Sequence, residues 1–597
     1  MTEPAQPSPS TLPRRSRRGC WIAAILFVLV LMAGAAVTVF LFLAGLAGSM
    51  QGVAPKIARG SVLELRLSGP MTESPPIMDL GIFGFDMPPS LWELRRALES
   101  AADDDRVAGL LLQVHGPAIG WASAEEIVAQ LDRFRDSGKP VYATVQSDML
   151  DDLTYYLATG GDRIWLNPQT AGVVNGLVAE SPFVRGTLDK LHVEPEVIMY
   201  KEYKSAGEMF ANYEMSPYMR EALEAVLQSM DGAFRSRVMD RRGVTAAALD
   251  ELMARGMTSG EQLVEAGLVD ELGYVDQVES AFEDADAVEE YEGVTVAKYL
   301  RSLGSTRAVS GDRIAVVFGE GQIVAESLAP SLPFFGTVMF SGPAVAKNLR
   351  EAAEDPRVKA IVFRINSPGG SAVGSDVVLR EVIRARESGK PVVASMSDVA
   401  GSGGYWVAMA ADRIVARPTT ITGSIGVVFS KLGLEGFFEW IGTNFDQVST
   451  APRADIFGIG PWGEGDREAV LSWMDAVYGN FTRAVAEHRG LELAAVQEVA
   501  KGRIWSGTDA LGRRLIDRLG GLDEAVSMAK EAAGIDAEQD VPLVVYPAPK
   551  TLWQRILEDD WTSAETVAHA LRTRLAEVLA GQTQPRVEAL APAVRAR

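Results

Sequence analysis

Ser137-Gly138-Lys139-Pro140-Val141 returns unchanged as Ser388-Gly389-Lys390-Pro391-Val392, at an offset of 251. In both places Gly and Pro stop a helix, and an apolar run at 141–145 or 392–395 then reads as a strand. The register holds on either side. Arg106-Val107 matches Arg357-Val358 at the same offset. After a one-residue slip, Asp162-Arg163-Ile164 matches Asp412-Arg413-Ile414, Pro168 matches Pro418 and Gly176 matches Gly426. At an offset of 247, Ser259-Gly260 matches Ser506-Gly507, Asp270 matches Asp517 and Gly273 matches Gly520. A period this long excludes a solenoid, so the chain is a tandem duplication of a whole domain.

Working outward, each module has the same order. A strand at 61–67 or 313–318 leads to a helix at 91–100 or 343–354. A continuous apolar strand at 109–114 or 360–365 follows, then a second helix and the strand after Ser-Gly-Lys-Pro. Short apolar runs alternating with helices predict an α/β fold of βαβ units, with parallel sheet covered on both faces. The expected divisions are a disordered cytoplasmic N-terminus at 1–19, a transmembrane anchor at 20–48, modules at 56–300 and 306–545, and a C-terminal helical tail at 546–597. The stretch 283–299 is expected to link the modules.

The chain carries 57 Lys and Arg against 79 Asp and Glu, a net charge of −22. This argues against a nucleic-acid partner, because phosphate binding needs a basic face. The single cysteine, Cys20, permits no intrachain disulfide and no cysteine metal site. No cofactor or metal is expected. Residues 21–47 hold no charged side chain and exceed the roughly 20 residues needed to cross a bilayer. Arg14, Arg15, Arg17 and Arg18 precede them, and the next charge is Lys56. The positive-inside rule then keeps the N-terminus cytoplasmic and exports the body. The alternative, a cleaved signal peptide, normally has an apolar core about half as long. Two apolar loops, at 77–89 and 328–340, read either as a rim for apolar peptide or membrane, or as subunit packing.

The copies differ where chemistry is expected. After the strand at 392–395 comes Asp398-Val399-Ala400-Gly401-Ser402-Gly403-Gly404-Tyr405-Trp406, a serine among glycines between a strand and a helix. Small neighbours admit a substrate backbone, and amides at a helix start can face an oxyanion. The stretch is not a Walker loop. Nor is it a Gly-x-Ser-x-Gly elbow, because Ala400 stands where the first Gly belongs. In the first module the counterpart is Asp151-Asp152-Leu153-Thr154-Tyr155, with Asp152 in the place of Ser402.

A nucleophilic serine needs a base. Of the four histidines (His115, His192, His488 and His569) only His115 falls at a strand end, and none lies in a motif. Lysine is the other partner, provided its pKa falls from ~10.4 through burial or a nearby cation. The first module carries Tyr200-Lys201-Glu202-Tyr203-Lys204-Ser205, whereas the matching Val448-Ser449-Thr450-Ala451-Pro452-Arg453-Ala454 has no lysine. One copy keeps Lys204 without the serine and the other keeps Ser402 without the lysine. Such complementary loss is expected if the site spanned two subunits before fusion.

At Asn366-Ser367-Pro368-Gly369-Gly370, Gly401-Ser402-Gly403-Gly404-Tyr405, Thr422-Gly423-Ser424-Ile425-Gly426, Tyr203-Lys204-Ser205 and Trp505-Ser506-Gly507 the chain resembles a known family. This is the signal peptide peptidase A family of membrane-anchored serine–lysine proteases, in its long duplicated form, and the likeness covers about residues 56–545. The resemblance implies two crotonase/ClpP-like βαβ spiral modules assembled into a ring, as a homotetramer. It makes Ser402 the nucleophile and Lys204 the general base, with Lys201 the nearest rival. Ser424 would orient the lysine amine, and the amides of Gly370 and Gly403 would form the oxyanion hole. Substrates would be apolar signal peptides already released from preproteins, met by a body on the periplasmic face of a bacterial-type inner membrane. Two other readings are a crotonase acting on coenzyme A thioesters, hinted at by Asp151 and Asp152, and a non-catalytic membrane scaffold.

Overall fold

The two Ser-Gly-Lys-Pro segments end helices Trp121–Asp136 and Ala372–Glu387, and strands Val141–Val145 and Val392–Gly401 follow. Gly138 and Gly389 both stand at φ 84°, a left-handed helix stop that a Cβ would penalise. The lysine of the motif has a structural task in each copy. Lys139 Nζ donates to the carbonyls of Ala101 (2.7 Å) and Asp104 (2.8 Å), and Lys390 Nζ donates to those of Ala352 (3.4 Å) and Asp355. These carbonyls lie at the end of helices Leu91–Ala102 and Gly342–Glu354 and in the turns just after them, where a cation satisfies groups the helix cannot pair itself. The motif is therefore scaffold, which explains why both copies keep it.

The computed structural model describes residues 55–75, 88–285, 287–304, 311–326 and 339–547, position 34, and the backbone of 586–590. The expected disordered terminus and transmembrane anchor lie outside these, as do residues 77–87 and 328–338 of the apolar loops. Among the described residues no helix is long and apolar enough to cross a membrane.

Each module is built on one parallel sheet with the same strand order. In the first the order is Glu271–Leu272, Arg163–Leu166, Val141–Val145, Val107–Ala118, Ser61–Pro70 and Gly293–Thr295. In the second the matching parallel path is Arg518–Leu519, Arg413–Ala416, Val392–Gly401, Val358–Ser367, Arg313–Glu320 and Leu543–Tyr546, and Ile421–Gly423 also joins Val392–Gly401 and pairs antiparallel with Ile504–Ser506. Central strands are apolar on both faces because helices cover both. Leu110, Leu111 and Leu112, like Ile361, Val362 and Phe363, are fully buried. The stretch 283–299 is more than a link. Its strand Gly293–Thr295 pairs in parallel with Ser61–Pro70 and closes the sheet edge, as Leu543–Tyr546 does in the second copy. Three residues are too few for a periodicity signal, so this strand was invisible in the pattern. Beyond residue 547 the described backbone is strand, Arg586–Leu590, where helix was expected.

A third sheet is shared by the modules. Glu194–Tyr200 of the first pairs antiparallel with Val427–Gly433 of the second, with Tyr200 opposite Val427. A second seam is ionic. Arg364, on Val358–Ser367 and 1% exposed, donates to Glu73 (2.9 Å) and Glu126 (2.6 Å) of the first module. It also donates to the hydroxyls of Ser395 and Ser397, both at 2.9 Å. Asp398 accepts from the Ser123 amide (2.7 Å), the Ser123 hydroxyl (2.6 Å) and the Gly120 amide (3.2 Å). Desolvated charges are tolerated at this seam because Arg364 and Asp398 each meet several hydrogen-bond partners.

Removing one partner leaves the others buried and uncompensated. Arg364→Ala is expected to cost about 3–5 kcal/mol in urea unfolding. Adding Glu73→Gln and Glu126→Gln should recover at least half of that loss.

Candidate active site

Ser402 follows strand Val392–Gly401 and immediately precedes helix Gly403–Ala408. Its backbone takes φ 54° and ψ −112°, a conformation non-glycine residues rarely adopt and one that needs outside support. The support is local: the Ser402 amide donates to the Gly423 carbonyl and the Trp406 amide donates to the Ser402 carbonyl, both at 2.8 Å. The turn holds the hydroxyl at the junction of strand and helix, fully buried.

Beside it stands strand Gly369–Ser371. Gly370 has φ 147°, and a Cβ there would come within 2.2 Å of the Ile323 carbonyl oxygen. A Cβ on Gly403 would lie 3.1 Å from the Gly370 nitrogen. Gly403 therefore lies close to the Gly370 amide, and a side chain at Gly403 would crowd it, whereas one at Gly370 would strike the Ile323 backbone.

Lys204 comes from the other module. The shared pairing brings Glu194–Tyr200 alongside Val427–Gly433, and the chain then turns through Lys201, at φ 81°, to Lys204. Lys204 Nζ lies 2.8 Å from Ser402 Oγ, 3.0 Å from Ser424 Oγ and 3.1 Å from the Ser424 carbonyl oxygen. The side chain is 1% exposed, and no ion pair to it exists among the described residues. Burial alone pushes the ammonium down to about 7, because desolvation disfavours the charged form and no acid offsets it. Ser424, at φ 51°, is held by its amide donating to the Arg503 carbonyl at 2.7 Å.

All five residues singled out in the sequence (Lys204, Ser402, Ser424, Gly370 and Gly403) thus meet at one place. The rival Lys201 does not. It is exposed, with its ammonium 4.5 Å from the centre of the Tyr200 ring and 5.5 Å from that of Tyr478. His115 stays on strand Val107–Ala118 of the first module. Asp151 caps a helix by accepting from the Thr154 amide at 2.8 Å. Asp152 is buried and accepts from the amides of Asn175 (3.4 Å) and Gly176 (3.3 Å), and burial pushes it up to about 6. The two carboxylates hinted at crotonase chemistry, but both are spent on backbone amides of their own module. Gly502 was missed in the sequence: a Cβ there would lie 2.5 Å from Lys204 Cβ. Nothing in its Lys501-Gly502 context signals this contact. Met199, Lys201, Glu202, Glu208, Asn212 and Ser216 line a cavity of about 400 Å³ that reaches Lys204.

A buried serine facing a lysine poised near neutrality, with backbone amides beside it, is the equipment of a serine protease. Here it is split over two copies of one α/β module. A profile of peptidase family S49 matches residues 133–289 and 384–536, once in each module. The chain is 32% identical over 530 residues to "Serine protease SPPA, chloroplastic" of Arabidopsis thaliana, covering 88% of this chain and 76% of that one. It is 33% identical over 539 residues to "Protease 4" of Salmonella typhi, covering 85% of each. A second "Protease 4", from Haemophilus influenzae, is 30% identical over 457 residues, covering 74% of this chain and 73% of that one. The chain belongs to peptidase family S49 and is a serine protease.

A folded-state pKa near 7 against 10.5 for an ordinary lysine also means that folding opposes protonation. Between those values the unfolded chain holds more protons, so wild-type stability rises with pH across the interval. Lys204→Met removes this penalty. Its gain in Tm is expected to be largest below pH 7 and to vanish towards pH 10.5, as followed by thermal unfolding across that range.

Proposed function

We propose that Ser402 is the nucleophile and Lys204 its general base. The observation that carries this is the 2.8 Å approach of a buried lysine amine, poised near pH 7, to the serine hydroxyl. Ser402 Oγ attacks the peptide carbonyl while neutral Lys204 takes its proton, then returns a proton to the leaving amine. A water activated by the same amine hydrolyses the acyl-enzyme. The amides of Gly370 and Gly403 receive the charge that develops on the carbonyl oxygen. Ser424 orients the amine through its hydroxyl and carbonyl.

The wider reading is an endopeptidase anchored by residues 20–48, its N-terminus cytoplasmic and its body on the outer face of a bacterial-type inner membrane, working as a homotetramer on apolar signal peptides left in the bilayer. The 27 uncharged residues at 21–47, with arginines before them, support the anchor and its direction. A peptide remaining in the bilayer is apolar, and a membrane-tethered body meets it at short range.

The test uses the full chain in detergent with a fluorogenic apolar peptide. Ser402→Ala and Lys204→Ala should each lower kcat by about 10³-fold or more. In wild type, kcat/KM should rise from pH 6 to a plateau above pH 8 with an apparent pKa near 7, since only the neutral amine accepts the serine proton. Activity that survives Lys204→Ala but not Ser402→Ala would move the base elsewhere. A rate independent of both residues would overturn the proposal.

A further inference from the structure

The run Asn366-Ser367-Pro368-Gly369-Gly370 carries the Gly370 amide into the site, and the register around its first residue is irregular. Strand Val358–Ser367 pairs in parallel with Val392–Gly401 as far as Ile365 opposite Met396, and again at Ser367 opposite Ala400. Ser397, Asp398 and Val399 therefore stand opposite Asn366 alone. A bulge of this kind interrupts the main-chain ladder. The Asn366 side chain takes the ladder's place. Its Oδ1 accepts from the Val399 amide at 3.2 Å, and its Nδ2 donates to Glu73 Oε1 at 3.1 Å. Val399 runs directly on to Ser402, and Asn366 runs directly on to Gly370. One side chain thus ties together the two strand ends that bear the nucleophile and the oxyanion amide.

We propose that Asn366 is a positioning residue for the oxyanion hole, clamped by Glu73 of the first module, and that it sets the distance between the Gly370 amide and Ser402. The proposal rests on Ser402 and Gly370 acting as assigned above. Glu73 is a rigid anchor, 3% exposed. Its Oε2 accepts from Arg364 Nε at 2.9 Å, its Oε1 also accepts from the Ser397 hydroxyl, and its amide donates to the Glu320 carboxylate at 3.2 Å. A carboxylate on one side and an amide N–H on the other leave the Asn366 amide a single orientation, with nitrogen towards Glu73 and oxygen towards Val399. Donors to an oxyanion act only at hydrogen-bond distance, and a displacement of about 1 Å costs roughly 10² in rate. The first module then serves both halves of the reaction: Lys204 takes the serine proton, and Glu73 acts through Asn366 on the amide that receives the charge.

The bonding pattern can be reversed by substitution. Asn366→Asp keeps an acceptor for Val399 but sets a second carboxylate against Glu73, with Glu320 opposite it on the neighbouring strand. Glu73→Gln alone also misfits, because its amide must turn its nitrogen to either Asn366 or Arg364, and both are donors. In the double variant Gln offers its oxygen to Arg364 and its nitrogen to Asp. The Ser397 hydroxyl can then accept instead of donate, and the charge of the cluster is that of wild type.

The experiment uses the full chain in detergent, with active sites counted by a fluorophosphonate that labels Ser402, so that kcat refers to folded protein alone. Asn366→Asp and Asn366→Ala should each lower kcat for the fluorogenic peptide about 10²-fold, with KM unchanged. A peptide aldehyde, whose hemiacetal oxygen stands where the oxyanion would, should bind more weakly by the same factor. Adding Glu73→Gln to Asn366→Asp should bring kcat and aldehyde affinity back to within about threefold of wild type, a rescue that a general loss of stability would not give. Unchanged kcat and aldehyde affinity in the single variants overturn the positioning role. A double variant no better than Asn366→Asp overturns the clamp by Glu73. A wild type that takes up no fluorophosphonate overturns the Ser402 assignment instead. Hydrogen exchange at 397–400 in the Ser402→Ala background then decides the rest: it should quicken on Asn366→Ala, and unchanged exchange overturns the support of the bulge.

Discussion

A lysine gives up its proton near neutral pH only where water is kept away and no carboxylate stands close. At Lys204 the exclusion is built from both modules. Ser402 and Ser424 of the second module meet the amine, Gly502 packs against the stem, and the first module supplies the backbone that carries it. No single module encloses such a site, since the serine and the lysine enter from opposite sides of a seam. The shared antiparallel pairing of Glu194–Tyr200 with Val427–Gly433 is thus part of the chemistry, because it fixes how far past Val427 the lysine travels. A one-residue slip there would turn every side chain to the other face.

The placement of charge follows from the same constraint. Acids are abundant in this chain, yet among the described residues none pairs with Lys204, and the buried Glu208 of the adjoining cavity accepts from the Ser216 amide and hydroxyl instead. Glu73 and Glu126 are held by Arg364, and Asp398 by Gly120 and Ser123. Strands Val358–Ser367 and Val392–Gly401 end at the Gly370 and Ser402 turns, so Arg364 and Asp398 fix the two strands whose ends bear the reacting groups. The ionic seam holds the modules together without placing a counter-charge where it would keep the lysine protonated.

How much of this could be read from the residues alone depended on contrast between the copies. Ser402 and Lys204 were legible because each is missing from the other module, and Gly370, Gly403 and Ser424 through the motifs around them. The βαβ build was implicit in the alternation of apolar runs and helices. What stayed hidden was non-local. Arg364 with Glu73 and Glu126 joins residues far apart in the chain, and no spacing announces such a pair. Gly502 matters only because Lys204 packs on it. The short strand Gly293–Thr295 lacks any period, and Arg586–Leu590 pairs with Gly369–Ser371 and Val427–Gly433, far away in the sequence.

The two copies also differ in which features they retain. Tyr155 and Tyr405 donate to the carbonyls of Leu268 and Leu515 at 2.8 and 2.9 Å. Arg242 clasps Asp270 as Arg489 clasps Asp517, and Lys139 caps a helix as Lys390 does. These devices support a sheet, and each sheet needs its own. Ser402 and Lys204 are not duplicated, since Asp152 stands in the serine's place in the first module and the stretch 448–454 of the second holds no lysine. Where the first module would hold a second serine, Asp152 accepts the Asn175 and Gly176 amides, so its turn keeps backbone partners without a nucleophile. The first module is then a complete folded wall whose loop 201–204 is free to serve the neighbouring site. Lys204 is dry and uncompensated there because its amine meets only the neutral oxygens of Ser402 and Ser424.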